Sequence, residues 1–302
     1  MSSAVHATQP VRFTVSGPYD LLLSLRAAAS FGRNRYDSAD DAPEVFRSPV
    51  RIAGTPTALE IRQLPTEPGT LEATARPAAA SAAVTALARR LVNADLDLEP
   101  FYELVRDDKL FGPLTTSLRG LKAFRPATLF EMLVTAVIEQ QISLMAAHHI
   151  RGRLVERFGE SVDDLIVFPA PDTLAEAPLE ALRECGLSHR KAEYIGGVAQ
   201  LVSSGTFDTE TLADLTDDEV RARISEIRGF GRWSAEYLLI RGLGRPDVVP
   251  VDDLGIQTLL GRLLGDGKRL TPDGVRQVLE PLTPYRGVAV FYLLAGTRLG
   301  LV

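Results

Sequence analysis

The residues of this chain best placed to do chemistry lie between 225 and 256. An amphipathic segment carrying Val220, Ile224 and Ile227 runs into Gly229-Phe230-Gly231 and straight on into Arg232-Trp233-Ser234-Ala235-Glu236-Tyr237. Two glycines one apart allow positive φ and a sharp turn, which leaves the first amides of the following helix uncovered. Those amides, with the helix dipole behind them, form a site suited to an anion such as a phosphate. On Gly-x-Gly alone, a plain helix–turn–helix corner is the simpler account. One helix later comes Val249-Pro250-Val251-Asp252-Asp253-Leu254, where a loop gives way to a new helix at a pair of carboxylates. Either aspartate suits a helix N-cap, and the cap is assigned in part to Asp252. Negative charge is favoured at a helix N-terminus, so a carboxylate there suits the stabilisation of positive charge better than strong basicity.

Composition narrows the chemistry. Cys185 is the single cysteine, which excludes an internal disulfide, a cysteine-ligated iron–sulfur cluster and a multi-cysteine zinc site. The adjacent His148 and His149 would point to different faces of a helix and make a poor metal site. A net charge of −6 argues against nucleic-acid binding through a broad basic surface, but not against holding a few phosphates with backbone amides and one or two arginines. No apolar run approaches the ~18 residues of a membrane span, and Met1 to Pro10 lacks an apolar stretch between a basic start and a cleavage site. The expectation is a cytoplasmic protein with no membrane partner.

Two kinds of segment must position these groups. From Val11 to about Arg76 short β-favouring runs, at 11–15, 46–52, 58–62 and 71–74, alternate with turn signals. Tyr19 to Ser30 reads as one amphipathic helix with Leu21, Leu22, Leu25 and Ala28 on one side, followed by a polar loop from Gly32 to Pro43. Beyond Pro77 to Ser81 the period turns helical, with helices expected at 82–93, 98–106, 127–139, 143–157, 179–185, 189–203, 217–226, 231–243, 253–265, 272–280 and 285–297. The expected fold is a small α+β N-terminal domain (antiparallel sheet with helix) over 1–80, then an all-α domain over 81–302 built as two helical lobes with a cleft between them.

The order hairpin, aromatic helix, Val-Pro-Val-Asp-Asp resembles the helix-hairpin-helix (HhH-GPD) DNA glycosylase superfamily, closest to its 3-methyladenine DNA glycosylase II branch. The resemblance spans about Ala82 to Leu299. It includes Val137-Ile138-Glu139-Gln140-Gln141-Ile142-Ser143, similar to the family's Gln-containing turn beside the base pocket. Gly186-Leu187-Ser188-His189-Arg190-Lys191-Ala192 is similar to the segment before its hairpin. The N-terminal part resembles, more weakly, the small sheet domain of longer members.

The resemblance implies a monofunctional glycosylase that flips damaged, alkylated bases out of double-stranded DNA in base excision repair. Asp253 matches the family's catalytic Asp, and Asp252 is its less critical neighbour, expected at the base pocket. Trp233 and Tyr237, one helical turn apart, would offer faces to the flipped base, or serve the core instead. Cation–π attraction would favour positively charged alkylpurines by about 0.5–2 kcal/mol. Gln140 matches a pocket-lining position, and Gln141 the place of an apolar wedge. Leu294 stands where a further pocket Trp is usual. Gly229, Phe230, Gly231, Arg232 and Ser234 would meet DNA.

Trp233 also occupies the place of the lysine that bifunctional relatives use for a Schiff base, so strand-nicking lyase activity is not expected. No organic cofactor or catalytic metal is implied. The family's hairpin suggests a structural Na+ or K+ held by the backbone carbonyls of Ser225, Arg228 and Gly231. A monomer, associated with the nucleoid when bound to DNA, is expected. Three other readings are a glycosylase for oxidised or deaminated bases, a non-catalytic hairpin DNA-binding module, and a helical protein-binding scaffold.

Overall fold

Strict alternation of buried and half-buried residues in Thr-Leu-Glu-Ala-Thr-Ala-Arg dictates a strand with one face inward, and the computed structural model, which describes residues 7–31 and 44–302, places it in a four-stranded antiparallel sheet. The strands are β1 (Val11–Thr14), β2 (Val45–Ile52), β3 (Thr55–Gln63) and β4 (Thr70–Arg76), in the order β1-β4-β3-β2. Ala53 and Gly54 join β2 to β3 with φ of 50° and 81°, the double left-handed geometry of a tight hairpin. Pro49 is tolerated because β2 ends the strand order, where one side of its backbone needs no sheet partner. The polar loop expected over 32–43 lies outside the described residues.

Helix α1 (Leu21–Ser30) is capped by the Asp20 carboxylate, which accepts the Leu23 amide at 2.8 Å. Helix α2 (Ser81–Leu91), expected to open the helical part, puts Val84, Ala88 and Leu91 into the same apolar core as Leu59, Ile61 and Leu71 of the sheet.

The remaining helices make two further cores. One is built by α5 (Leu129–Glu139), α6 (Leu144–Phe158), α7 (Pro171–Glu176), α8 (Leu179–Glu184), α9 (His189–Ser203), α10 (Asp217–Ser225) and α11 (Arg232–Tyr237). The other gathers α3 (Glu99–Leu104), α4 (Phe111–Ser117), α12 (Leu254–Leu263), α13 (Pro272–Leu279) and α14 (Arg286–Arg298). In the second core the Tyr102 and Tyr292 hydroxyls meet at 2.7 Å, and the Tyr102 oxygen also accepts the Gly120 amide, so neither buried phenol is left unsatisfied. Truncating a fully buried ring such as Phe101 would cost about 3–5 kcal/mol.

Three short elements were not foreseen: α4, α7 and a ribbon of β5 (Glu160–Val162) and β6 (Leu165–Val167) set into the helical part. The ribbon is fastened to the sheet by charge. Arg47 forks onto both oxygens of Asp164 at 3.0 and 2.7 Å, and Arg51 reaches Glu160. Among the described residues no helix is long and apolar enough to cross a membrane.

Candidate active site

The hairpin begins where α10 ends. Gly229 has φ +93°, and a Cβ there would stand 2.3 Å from the Tyr194 ring of α9, so both backbone angle and space require glycine. Phe230 is 5% exposed and packs with Ile227 into the first helical core. This corrects the expectation of a DNA-contacting Phe230: its side chain anchors the turn from within.

Gly231 is the N-cap of α11 and faces open space. The first helical bond of α11 runs from the Ala235 amide to the Gly231 carbonyl, so the amides of Arg232, Trp233 and Ser234 have no acceptor within the helix. Ser234 is corrected as a side-chain contact, because it is 1% exposed and its hydroxyl accepts a hydrogen bond from Gln140 at 3.2 Å.

Gln140 ends α5 and turns toward the hairpin. Its amide Nε2 donates to the Gly229 carbonyl at 3.0 Å as well as to Ser234, which makes it a brace for the turn instead of a pocket-lining group. The Gln140 carbonyl in turn accepts the Lys191 ammonium at 2.6 Å, and the Ile138 carbonyl accepts it at 2.9 Å. Lys191 therefore closes the C-terminal end of α5, and burial lowers its pKa. Beside it, Gln141 is exposed at φ +54°, and Ile142 and Met145 are exposed at 37% and 71%.

Trp233 and Tyr237 stack on each other with ring centroids 4.1 Å apart. The helix then widens into a π-helical stretch, Leu238–Gly242, with the Leu243 amide bonded to the Leu238 carbonyl. Arg241 in this stretch lies over the Tyr237 ring at 5.5 Å and reaches both oxygens of Glu139 at 2.9 and 2.8 Å. Trp233 sits one turn before Tyr237 and Arg241 one turn after it, so both neighbours of the ring come from the same side of the helix. Burial pushes the Tyr237 hydroxyl up to about 12, with Glu139 and Asp253 reinforcing the shift and Arg241 opposing it.

Asp253 caps α12. Its Oδ1 accepts the amides of Gly255 and Ile256 at 2.9 and 3.1 Å, while Oδ2 accepts the Trp233 indole N–H at 3.3 Å. The cap thus belongs to Asp253, which corrects the assignment to Asp252; Asp252 is exposed and outside the pocket wall. The loop leading to Asp253 is pinned to the head of α14: Asp247 accepts the Arg286 amide, Nε and Nη2 at 3.1, 2.9 and 2.6 Å.

A cavity of about 450 Å³ opens between the cores, a size typical of small-molecule sites. Tyr237 and Leu294 line it, together with Pro250 and Ile256 on either side of Asp253 and the Glu139–Arg241 pair, whereas Trp233, expected in the pocket, is stacked on Tyr237 outside the lining. Arg232 is 58% exposed, but its Nε donates to Glu236 at 3.0 Å, so much of its charge is answered within α11. Glu236 is 3% exposed, and burial raises its pKa. The carbonyls of Ser225, Arg228 and Gly231, expected to hold a monovalent cation, belong to the stretch from the end of α10 to the head of α11, and that of Gly231 already accepts the Ala235 amide.

Sequence reasoning assigned no role to Tyr194, Lys191, Glu139, Arg241 or Glu236. Only Arg241 carried a signal, the four-residue spacing that continues Trp233 and Tyr237.

Comparison with known proteins identifies the family. Residues 134–284, half of the chain, match the model of the HhH-GPD superfamily base excision DNA repair protein. DNA-3-methyladenine glycosylase of Bacillus subtilis is 32% identical over 203 residues, covering 66% of this chain and 67% of the relative. DNA-3-methyladenine glycosylase 1 of Schizosaccharomyces pombe is 34% identical over 171 residues, 56% of this chain and 73% of that one. The solved 3-methyladenine DNA-glycosylase from Archaeoglobus fulgidus superposes with a TM-score of 0.81 at 25% identity, covering 96% of this chain and 98% of its own. The chain belongs to the HhH-GPD superfamily.

Proposed function

We propose that this chain is a monofunctional DNA glycosylase that excises alkylated bases, of the 3-methyladenine and 7-methylguanine type, from duplex DNA in base excision repair. The observation that carries the reading is the Asp253 carboxylate, held on one oxygen by two amides of α12 and on the other by Trp233. The names of the relatives at 32% and 34% identity support the alkylated-base substrate.

Breaking an N-glycosidic bond builds positive charge on the deoxyribose. A fixed anion near C1′ attracts that charge more strongly in the transition state than in the ground state, which is what accelerates the step. Asp253 is that anion and orients the attacking water; the sugar cation is electrophilic enough to need little help from a base. The target nucleotide leaves the stack at a cost of roughly a few kcal/mol and enters the cavity lined by Tyr237 and Leu294. The open amides after Gly231 meet a backbone phosphate, with Arg232 alongside, and the hairpin carbonyls hold a sodium or potassium ion that supports the turn. Trp233 at the head of α11, with Lys191 occupied by two carbonyls, argues for hydrolysis without a lyase step.

The test is release of 3-methyladenine and 7-methylguanine from alkylated duplex DNA by the wild type and by Asp253→Asn, with and without alkali. Base release, alkali-dependent strand breaks and loss of both in the variant are expected. Strand cleavage without alkali would overturn the monofunctional assignment, and undiminished release by Asp253→Asn would overturn the role of the carboxylate.

A further inference from the structure

The Glu139–Arg241 pair is an expensive arrangement to place in a pocket wall. Glu139 is the last residue of α5, where the helix dipole disfavours a carboxylate, and its side chain is 7% exposed. A buried pair of this kind adds little to stability, but it fixes the direction of a charged group. Both carboxylate oxygens are met by a single nitrogen, Nη1 of Arg241; of its remaining donors one is engaged by the Tyr237 hydroxyl, and the rest lie outside both contacts. The Arg241 side chain is 45% exposed and borders the cavity next to Tyr237.

A guanidinium at this place matters differently for two kinds of base. When the C1′–N bond breaks, the bonding electron pair goes to the base nitrogen, and water adds its oxygen to C1′ and gives up a proton. A cationic alkylbase accepts the pair and departs neutral. An uncharged base departs with negative charge and takes up the released proton afterwards. Donors fixed where that charge develops lower the barrier for the second kind far more than for the first.

We propose that Arg241, oriented by Glu139, contacts the edge of the extruded base and stabilises the negative charge on an uncharged leaving base, and so sets how the pocket divides its activity between uncharged and cationic bases. This rests on the glycosylase reading above. Arg241 is then a specificity-determining residue, and Glu139 a positioning residue that acts through it.

The experiment compares single-turnover release of hypoxanthine, an uncharged purine with a carbonyl, and of 7-methylguanine, a cation in DNA, from duplexes carrying one lesion each. The proteins are the wild type, Arg241→Lys, Arg241→Met and the double variant Glu139→Gln with Arg241→Met, which leaves no unpaired carboxylate behind. Their thermal melts establish which are folded. Wild type is expected to release both bases. The hypoxanthine-to-7-methylguanine rate ratio is expected to fall by about tenfold or more in both Met variants and to recover in part with Lys. An unchanged ratio in a folded Met variant, or a wild type that releases 7-methylguanine and no hypoxanthine, overturns the proposal; a wild type that releases neither overturns the glycosylase reading itself.

Discussion

The indole N–H of Trp233 and the Oδ2 oxygen of Asp253 meet at 3.3 Å, although one residue belongs to the helix after the hairpin and the other caps the helix after that. The contact leaves Asp253 with a donor on each carboxylate oxygen, so the orientation of the carboxylate is fixed by the fold itself. Preorganisation of this kind removes reorganisation from the chemical step.

Trp233→Phe keeps an aromatic face against Tyr237 and removes the donor to Oδ2. Single-turnover base release is expected to slow by about three- to thirtyfold while DNA affinity stays near wild type. A variant as fast as wild type would mean that the two amides of α12 alone aim the carboxylate.

Asp253→Asn should separate cap from catalyst. Asparagine caps a helix about as well as aspartate, so the thermal melt should change by less than about 0.5 kcal/mol in stability. Base release should fall by about a hundredfold or more. A variant that loses activity and stability together would show the cap, not the charge, as the main contribution of this side chain.

The two hairpin glycines should behave oppositely. Gly229→Ala drives a Cβ into the Tyr194 ring at a φ of +93°, and a loss of about 2–4 kcal/mol in denaturant titrations is expected. Gly231→Ala meets open space and should fold normally, yet it puts a methyl group in front of the uncovered amides. Its expected signature is weaker binding to duplex DNA with an unchanged melt; binding equal to wild type would place the phosphate elsewhere.

Lys122, which borders the cavity from the side of the N-terminal domain, gives the stability a pH dependence. It is 2% exposed and donates to the Ser16 carbonyl at 2.8 Å, and burial lowers its pKa from 10.5 to about 8. Above pH 8 the native state has already shed a proton that the unfolded chain retains, so stability rises with pH until the unfolded lysine also deprotonates. From pH 8 to 10 the wild type should gain roughly 2–3 kcal/mol relative to Lys122→Met in urea titrations. Parallel profiles for the two proteins would show that the ammonium is not withdrawn from water in the native state.

The chain announced its helices wherever an apolar stripe ran for ten residues or more, and it announced the hairpin, the aromatic pair and the carboxylates because they are close together in sequence. Helices α4 and α7 were missed, though α3 and α8 are as short, because Gly112-Pro113 in the one and Pro169 and Pro171 at the head of the other read as turn signals. The ribbon β5–β6 is three residues a strand and is secured by arginines of the sheet more than a hundred residues away, which no local pattern records. The cap went to the wrong aspartate in part because adjacent residues of one type look alike until the helix start is known. Phe230 and Ser234 looked available because they sit in a turn, but their partners, the first core and Gln140, come from elsewhere in the chain. Lys191 stood in a segment matched to the family, yet nothing local says that its ammonium reaches the carbonyls of Ile138 and Gln140.

Trp233 packs against one helical core, and Asp253 lies between Val251 and Ile256 of the other. On the proposed reading the anion belongs to one packed half, while the wall around the base draws on both: Glu139, Tyr237 and Arg241 from α5 and the helix after the hairpin, Ile256 and Leu294 from the second core. Substitutions in α5 or in the stretch after α11 would then alter one side of that wall while the head of α12 stays as it is, so base choice and bond cleavage are open to separate change.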